Sequence, residues 1–232
     1  MARTDRSQGA RRTQEMRSAE TRAKLIDATL DVLMAEGYQN FTTQRVCDRA
    51  GVSRGAMLHH FPDRARLLAS AIEHLLTGAT EDIRRRAGQV RSGEITVSAF
   101  IDYLWAEQFS NRLFYITLEH VTLARTDNDV REELMPVVRR FHQALDETWQ
   151  EFFHTASLPD ATVAVILNLT LCLLRGMGVQ TVLRPGDEAY YGSLLAAWKG
   201  MLAALVEDRP LDAAALAGIP PAPETVPEPG DR

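Results

Sequence analysis

No stretch of this chain alternates apolar and polar residues at a period of two for long enough to make a half-buried strand. Apolar residues instead recur at helical spacing from Leu25 to Leu205. That property removes sheet-based architectures and predicts an all-α fold of about nine helices. The first starts near Ser18 or Thr21, carries Leu25, Ala28, Thr29, Val32 and Leu33 on one face, and stops at Gly37, which suits a C-terminal cap. Phe41 follows as a buried anchor, and Thr42 or Thr43 caps a helix running to Ala50. Gly51 breaks that helix, Val52 plugs the turn, and Ser53 caps a third helix over Arg54 to Phe61. Helix, a turn of three residues containing Gly, then helix is the pattern of a helix-turn-helix.

The remaining helices come in order. Asp63 caps a fourth with Leu67, Leu68, Ala71, Ile72 and Leu75, continuing to the Arg84-Arg85-Arg86 run, where cations suit a helix C-terminus. Gly88 to Glu94 reads as a connection. Thr96 caps the next helix, and Ser110 another with Phe114, Leu118 and Val121. Asp127 to His154 carries Leu134, Val138, Phe141, Leu145, Thr148 and Phe152, with Pro136 expected to kink it or mark a second start. Two apolar helices, through Leu183 and from Asp187 to Glu207, close the fold. The apolar run Ala161 to Leu174 is short of the roughly 20 residues a bilayer span needs and reads as a buried helix, so no membrane partner is expected.

Charge separates the chain into a head and a body. The formal net charge is −5, yet residues 1–70 hold 12 Lys and Arg against 8 Asp and Glu, while residues 71–232 hold 14 against 23. A basic head on an acidic body keeps the attraction to phosphates local. Arg3, Arg6, Arg11, Arg12 and Arg17 belong to a polar run without an apolar face, so 1–17 reads as a disordered basic arm. Six of the ten prolines lie beyond Arg209, so 209–232 reads as a disordered tail. With two cysteines, Cys47 and Cys172, in apolar contexts and no signal-peptide core at the N-terminus, a reducing cytoplasm fits best.

Residues 22–68 resemble the DNA-binding domain of the TetR family of bacterial transcriptional regulators. The matching pieces are Glu36-Gly37, Phe41-Thr42-Thr43, Val46, Ala50-Gly51-Val52-Ser53, Gly55, His59-His60-Phe61 and Leu67-Leu68. The resemblance implies a three-helix head over 18–66, followed by a helical effector-binding and dimerisation domain over 67–208. A reading helix of two turns fits a major groove, its first residues meeting base edges. Arg54 can then bond two acceptors on a guanine, Gln44 can pair with adenine, and Gly55 and Ala56 keep the helix slim, Ala56 within reach of a thymine methyl. Thr42, Thr43, Arg45, Ser53, His59, His60 and Arg64 are phosphate candidates. Leu58 stands where many family members carry a tyrosine; it is either an apolar base contact or a packing residue.

The family binds its effectors among the middle helices, where this chain has Trp105, Phe109, Phe114, Phe141 and Trp149. With them, the polar Glu119, His120, His142 and Asn168 are the candidate ligand contacts, against a reading of the aromatics as plain core. The small residues of the last two helices, among them Gly176, Gly178, Gly192, Ala196 and Gly200, are similar to those with which the family pairs subunits, implying a homodimer. The alternative, an intramolecular pair, leaves Trp198 and Leu202 needing cover. The implied function is a ligand-responsive regulator, foremost a repressor released from a pseudo-palindromic operator by a small molecule. The alternatives are an activator of the same family and a small helical enzyme or carrier using the aromatic cavity. No nucleophile–base pair, phosphate loop or metal spacing stands out, and the adjacent His59 and His60 point about 100° apart on a helix, so neither catalysis, a metal nor a cofactor is expected.

Overall fold

The computed structural model describes residues 3–153 and 158–206, with side chains placed from residue 14 onward except at 112, 113 and 206. Among the described residues every regular element is a helix: α1 (Arg3–Asn40), α2 (Thr43–Ala50), α3 (Arg54–His60), α4 (Arg64–Ser92), α5 (Val97–Tyr103), α6 (Arg112–Leu123), α7 (Asn128–Phe152), α8 (Asp160–Leu183) and α9 (Glu188–Val206). A π-helical turn, Leu104–Phe109, continues α5. The all-α expectation of about nine helices therefore holds among these residues. The proline-rich segment expected over 209–232 lies outside them. Residues 3–17, expected to be an unstructured arm, form the start of α1, and 14–20 are exposed all round. Alanine, arginine, glutamine and glutamate favour a helix wherever nothing opposes it, with or without an apolar face.

The chain gathers into two compact units, Met1–Ala79 with Tyr115–His142, and Thr80–Phe114 with Gln143–Arg232. The expected division after residue 66 follows the motif, whereas these units follow packing. In the first unit the predicted α1 face is buried throughout, from Leu25 to Leu33, with Phe41, Val46, Met57, Phe61, Leu67 and Ile72 completing one core. Ile116, Ala124, Val130 and Leu134 join it from α6 and α7. Gly37 adopts φ +72°, a left-handed conformation that bends α1 just before Phe41. The ion pairs Arg66–Glu133 and Arg140–Glu73 join α4 to α7 at a constant offset of 67 residues, so in this unit the two helices run parallel.

In the second unit α4 continues to Ser92, two turns past the arginine run. Arg84 pairs with Glu151, Arg85 with Asp82, and Arg86 lies over the Tyr103 ring; these cations serve neighbouring side chains rather than a helix end. Thr96 caps α5 as expected, accepting from the Ala99 N–H at 3.1 Å. The cap of α6 is Asn111, which accepts from the Phe114 N–H at 3.0 Å, and not Ser110, whose hydroxyl donates back to Ala106. The π-helical turn shifts the chain by one residue, which local periodicity does not show. Helix α7 continues through Pro136 without a second start.

Helix α8 has 24 residues and is long and apolar enough, by length and composition, to cross a membrane, which corrects the shorter estimate from sequence. It is also buried on one side only. Val163, Thr170, Leu171, Leu174, Met177 and Gly178 face inward, whereas Val165, Leu169, Val179, Val182 and Leu183 are exposed. Trp198 donates its indole N–H to Thr170 and Leu202 is buried, so both are covered within the chain. The small residues divide likewise. A Cβ on Gly178 would collide with the Phe109 carbonyl oxygen and the Phe114 ring, whereas at Gly176 and Gly192 it would meet nothing within 4 Å.

A candidate DNA-binding head and a candidate effector cavity

Helices α2 and α3 have 8 and 7 residues, too few to persist alone, and each is held at its start by a side chain. The Thr42 hydroxyl accepts from the Arg45 N–H at 3.3 Å and the Ser53 hydroxyl from the Ala56 N–H at 3.2 Å. Since each accepts, its own O–H proton is left to donate outward. Between the helices Gly51 sits at φ +64°, where a side chain would be strained. Buried Val46, Cys47, Met57 and Phe61 lock α2 and α3 onto the rest of the head core. Burial pushes the Cys47 thiol up, as suits an inert core group.

The opposite face of α3 is open. Arg54, Gly55, Leu58 and His59, spaced as one helical face, are all exposed, with Ala56 half-buried beside them. Among the described residues Arg54 has neither an ion-pair nor a hydrogen-bond partner. Leu58 is 45% exposed, so packing does not account for it. A Cβ at Gly55 would meet nothing within 4 Å, so internal packing does not require that glycine. On α2, Gln44 is exposed and donates to Asp48 at 2.8 Å, while Thr43 is half-buried.

Two of the phosphate candidates are already engaged. Arg45 pairs with Glu36, and Arg64 lies 4.4 Å above the Tyr38 ring and 5.0 Å from that of Phe41. His59 and His60 meet edge to face at 5.4 Å. Burial, with His59 and Arg22 nearby, holds His60 below the usual histidine range, which keeps it neutral at neutral pH. Among the described residues no group of three or more His, Cys, Asp or Glu could hold a metal ion.

The second unit contains a cavity of about 460 Å³. Phe100, Ile101, Leu104, Trp149, Phe152, Phe153, Val163, Ile166, Leu167 and Leu202 supply an apolar wall, and Arg91 and Thr170 are the polar members of its lining. Phe100, Trp149 and Phe153 form an aromatic cluster, with Phe100 and Trp149 edge to face at 81°. The Trp149 indole N–H is held by Asn168 at 3.3 Å, and Asn168 in turn donates to Asp146 at 3.1 Å.

Of the sequence-derived ligand candidates, Trp149 lines this cavity and Asn168 positions it. The others lie elsewhere. Phe109 and Phe114 pack edge to face against Gly178, and Trp105 tilts against Tyr191. Glu119 and His142 are exposed, and Phe141 is half-buried beside His142. His120 is fully buried in the first unit, bonded through Nδ1 to the Ile116 carbonyl and edge-on to Tyr38. Helical spacing placed these residues on inward faces without distinguishing core from cavity. Arg91 went unnoticed because its segment read as a loop; the spacing of Ile83, Ala87 and Val90 carries the helix through it.

Comparison with known proteins agrees with this geometry. The family model described as bacterial regulatory proteins of the tetR family matches residues 25–71. The HTH-type transcriptional regulator CymR of Pseudomonas putida is 33% identical over 180 residues, covering 78% of this chain and 88% of its own. Among solved structures, the regulator FadR from Bacillus subtilis in complex with stearoyl-CoA superposes with a TM-score of 0.54 at 18% identity, over 79% of this chain and 97% of its own. The multidrug binding protein EbrR complexed with imidazole gives 0.52 at 16% identity, over 88% and 97%. These last two likenesses concern the fold alone. The chain belongs to the TetR family of helix-turn-helix, DNA-binding transcriptional regulators. Proteins of this family regulate transcription and are not enzymes, which sets aside the enzyme alternative.

Proposed function

We propose that this regulator is a cytoplasmic repressor that binds a pseudo-palindromic operator as a homodimer and is released by a small apolar effector. The observation that carries the reading is the apolar cavity of about 460 Å³ in one unit of a chain whose other unit holds the reading helix. Pockets of this size with few polar groups are typical of small-molecule sites. Helix α4 links the two by covalent continuity, starting at Arg64 just after α3 and ending at Ser92 beside the cavity. An effector that favours one position of α4 shifts the separation of the two reading helices away from the about 34–36 Å between successive major grooves. The exposed apolar side of α8 supports the homodimer, since a face of Val165, Leu169, Val179 and Val182 is otherwise left to water.

In the head, Arg54 and Gln44 are the base readers, Leu58 and Ala56 meet apolar base edges, and the capping hydroxyls of Thr42 and Ser53 donate to phosphates, with Thr43, Arg45, His59, His60 and Arg64 around them. Gel-shift titration against the cognate operator tests this. Arg54→Ala should weaken binding by about 1–3 kcal/mol and relax the sequence preference at one position of each half-site, with Gln44→Ala weaker in the same direction. Unchanged affinity and preference in both variants would overturn these assignments. Transcription from an operator-linked promoter should fall when the protein is added; a rise would make it an activator.

A further inference from the structure

If the cavity is the effector site, its wall restricts the chemistry of the effector, because it offers almost nothing for a polar ligand. The Thr170 hydroxyl donates to the Ile166 carbonyl at 2.9 Å and accepts from Trp198 at 3.0 Å, so its proton is committed. The Trp149 indole N–H is committed to Asn168. Arg91 differs. It lies in the last turn of α4, is exposed, lines the cavity, and is tethered by one N–H group that donates to the Glu151 main-chain carbonyl at 2.8 Å. The Glu151 carboxylate is held by Arg84, so among the described residues no carboxylate neutralises Arg91. A guanidinium has five N–H donors, and this one keeps four for a ligand.

We infer that the effector is a small apolar carboxylate, its hydrocarbon body in the aromatic cavity and its carboxylate on Arg91; this rests on the reading of the cavity as an effector site. A planar guanidinium fork matches a carboxylate in shape as well as charge. One cation balances a monoanion but only half of a dianion, and it repels an amine. A cavity of about 460 Å³ suits a body the size of a medium acyl chain or one or two aromatic rings. Binding also acts on a helix that leads to the head: the carboxylate engages α4 at its last turn, 27 residues after Arg64 at its first.

The test uses the full chain and isothermal titration with decanoate, 4-phenylbenzoate, the methyl ester of each, and decylamine. The acids should bind at least tenfold more tightly than their esters, as a charge-assisted bond requires, and decylamine should not bind. Arg91→Gln should abolish the acid-to-ester ratio while leaving ester affinity within about twofold, and Arg91→Lys should restore part of the ratio. The tighter of the two acids decides between a chain and a ring. Equal binding of acid and ester, a ratio that survives Arg91→Gln, or silence of all five probes overturns the inference. Should Arg91→Gln not fold, the ratio in the unaltered chain and in Arg91→Lys decides alone. An ester that releases the operator while the acids do not overturns the inference and leaves the ligand-released reading standing. An acid that binds through Arg91 without disturbing the operator complex supports the carboxylate site on Arg91 and sinks the release reading.

Discussion

The two units are made of the same element and use it differently. Beside the 38-residue α1, the head has helices of 8 and 7 residues, each fixed by a side-chain cap and by buried side chains of one core. Beside the seven-residue α5 capped by Thr96, the second unit has helices of 24 and 19 residues, begins α8 at Pro159 without a side-chain cap, and contains a cavity of about 460 Å³. Short helices need their ends held because nucleation is costly, while long ones draw stability from a packed face and tolerate a gap beside it. Under the proposed function, the capped short helices belong to the element that would enter a groove, and the spare volume to the unit that would take up a ligand.

The largest effect that distinguishes the two units is truncation of an aromatic ring. Phe61 is 1% exposed in the head core, and Phe61→Ala should cost about 3–5 kcal/mol, read as a lower urea midpoint, and should abolish operator binding. Phe152 is half-buried on the cavity wall, where Phe152→Ala removes fewer contacts and enlarges a space that already exists. Equal losses at the two positions would break the contrast. Second in size is Gly178→Ala. The added methyl meets a backbone carbonyl, which yields less readily than a side chain, so a loss of about 1–3 kcal/mol is expected despite the gain in helix propensity. Thermal unfolding of this variant beside Gly176→Ala, where the space is open, sharpens the point: the second should be neutral or stabilising.

The same difference determines how much of each unit was legible in the sequence. The head is encoded locally. A cap lies three residues from the N–H it satisfies, as Ser53 does from Ala56 and Asp63 from Arg66, and the α1 stripe repeats within two turns. The cavity is encoded at long range. Arg91 is placed by Glu151, 60 residues away, and Thr170 by Trp198, 28 residues away, and no periodicity reports either. Helical spacing shows that Trp149, Phe109 and His120 point inward, but not that one borders a void, one meets a glycine and one enters the head core. The π-helical turn further displaced the cap of α6 from the expected Ser110 to Asn111.

A smaller effect isolates the caps. Ser53→Ala should cost about 1 kcal/mol in stability, and Ser53→Asp, which keeps the cap, should restore it. Operator binding separates the two roles assigned to that hydroxyl. Aspartate caps but repels phosphate, so it should recover the midpoint and still bind DNA poorly. Recovery of both would show that Ser53 serves the fold alone.

The last difference is silent at neutral pH. Among the described residues of the head, one buried side-chain nitrogen or oxygen has no hydrogen-bond partner, Nε2 of His120, while Nδ1–H donates to the Ile116 carbonyl. Burial is the main cause holding this histidine below its usual range, helped by Arg64 and opposed by the Ile116 bond and Glu119. In the unfolded chain the imidazole takes up a proton near its ordinary pKa of about 6.5, whereas in the folded head it resists. The unfolded state therefore binds more protons, and stability falls as pH drops through 6.5 toward the lower folded value; above about pH 7.5 the group contributes nothing. His60 is shifted the same way and adds to the slope, so the variant must separate them. His120→Leu, close in volume, should flatten part of the fall in midpoint between pH 7.5 and 5.5 and leave the value at pH 7.5 nearly unchanged. An identical slope in the variant would assign the acid sensitivity to His60 and leave the orphan nitrogen without consequence.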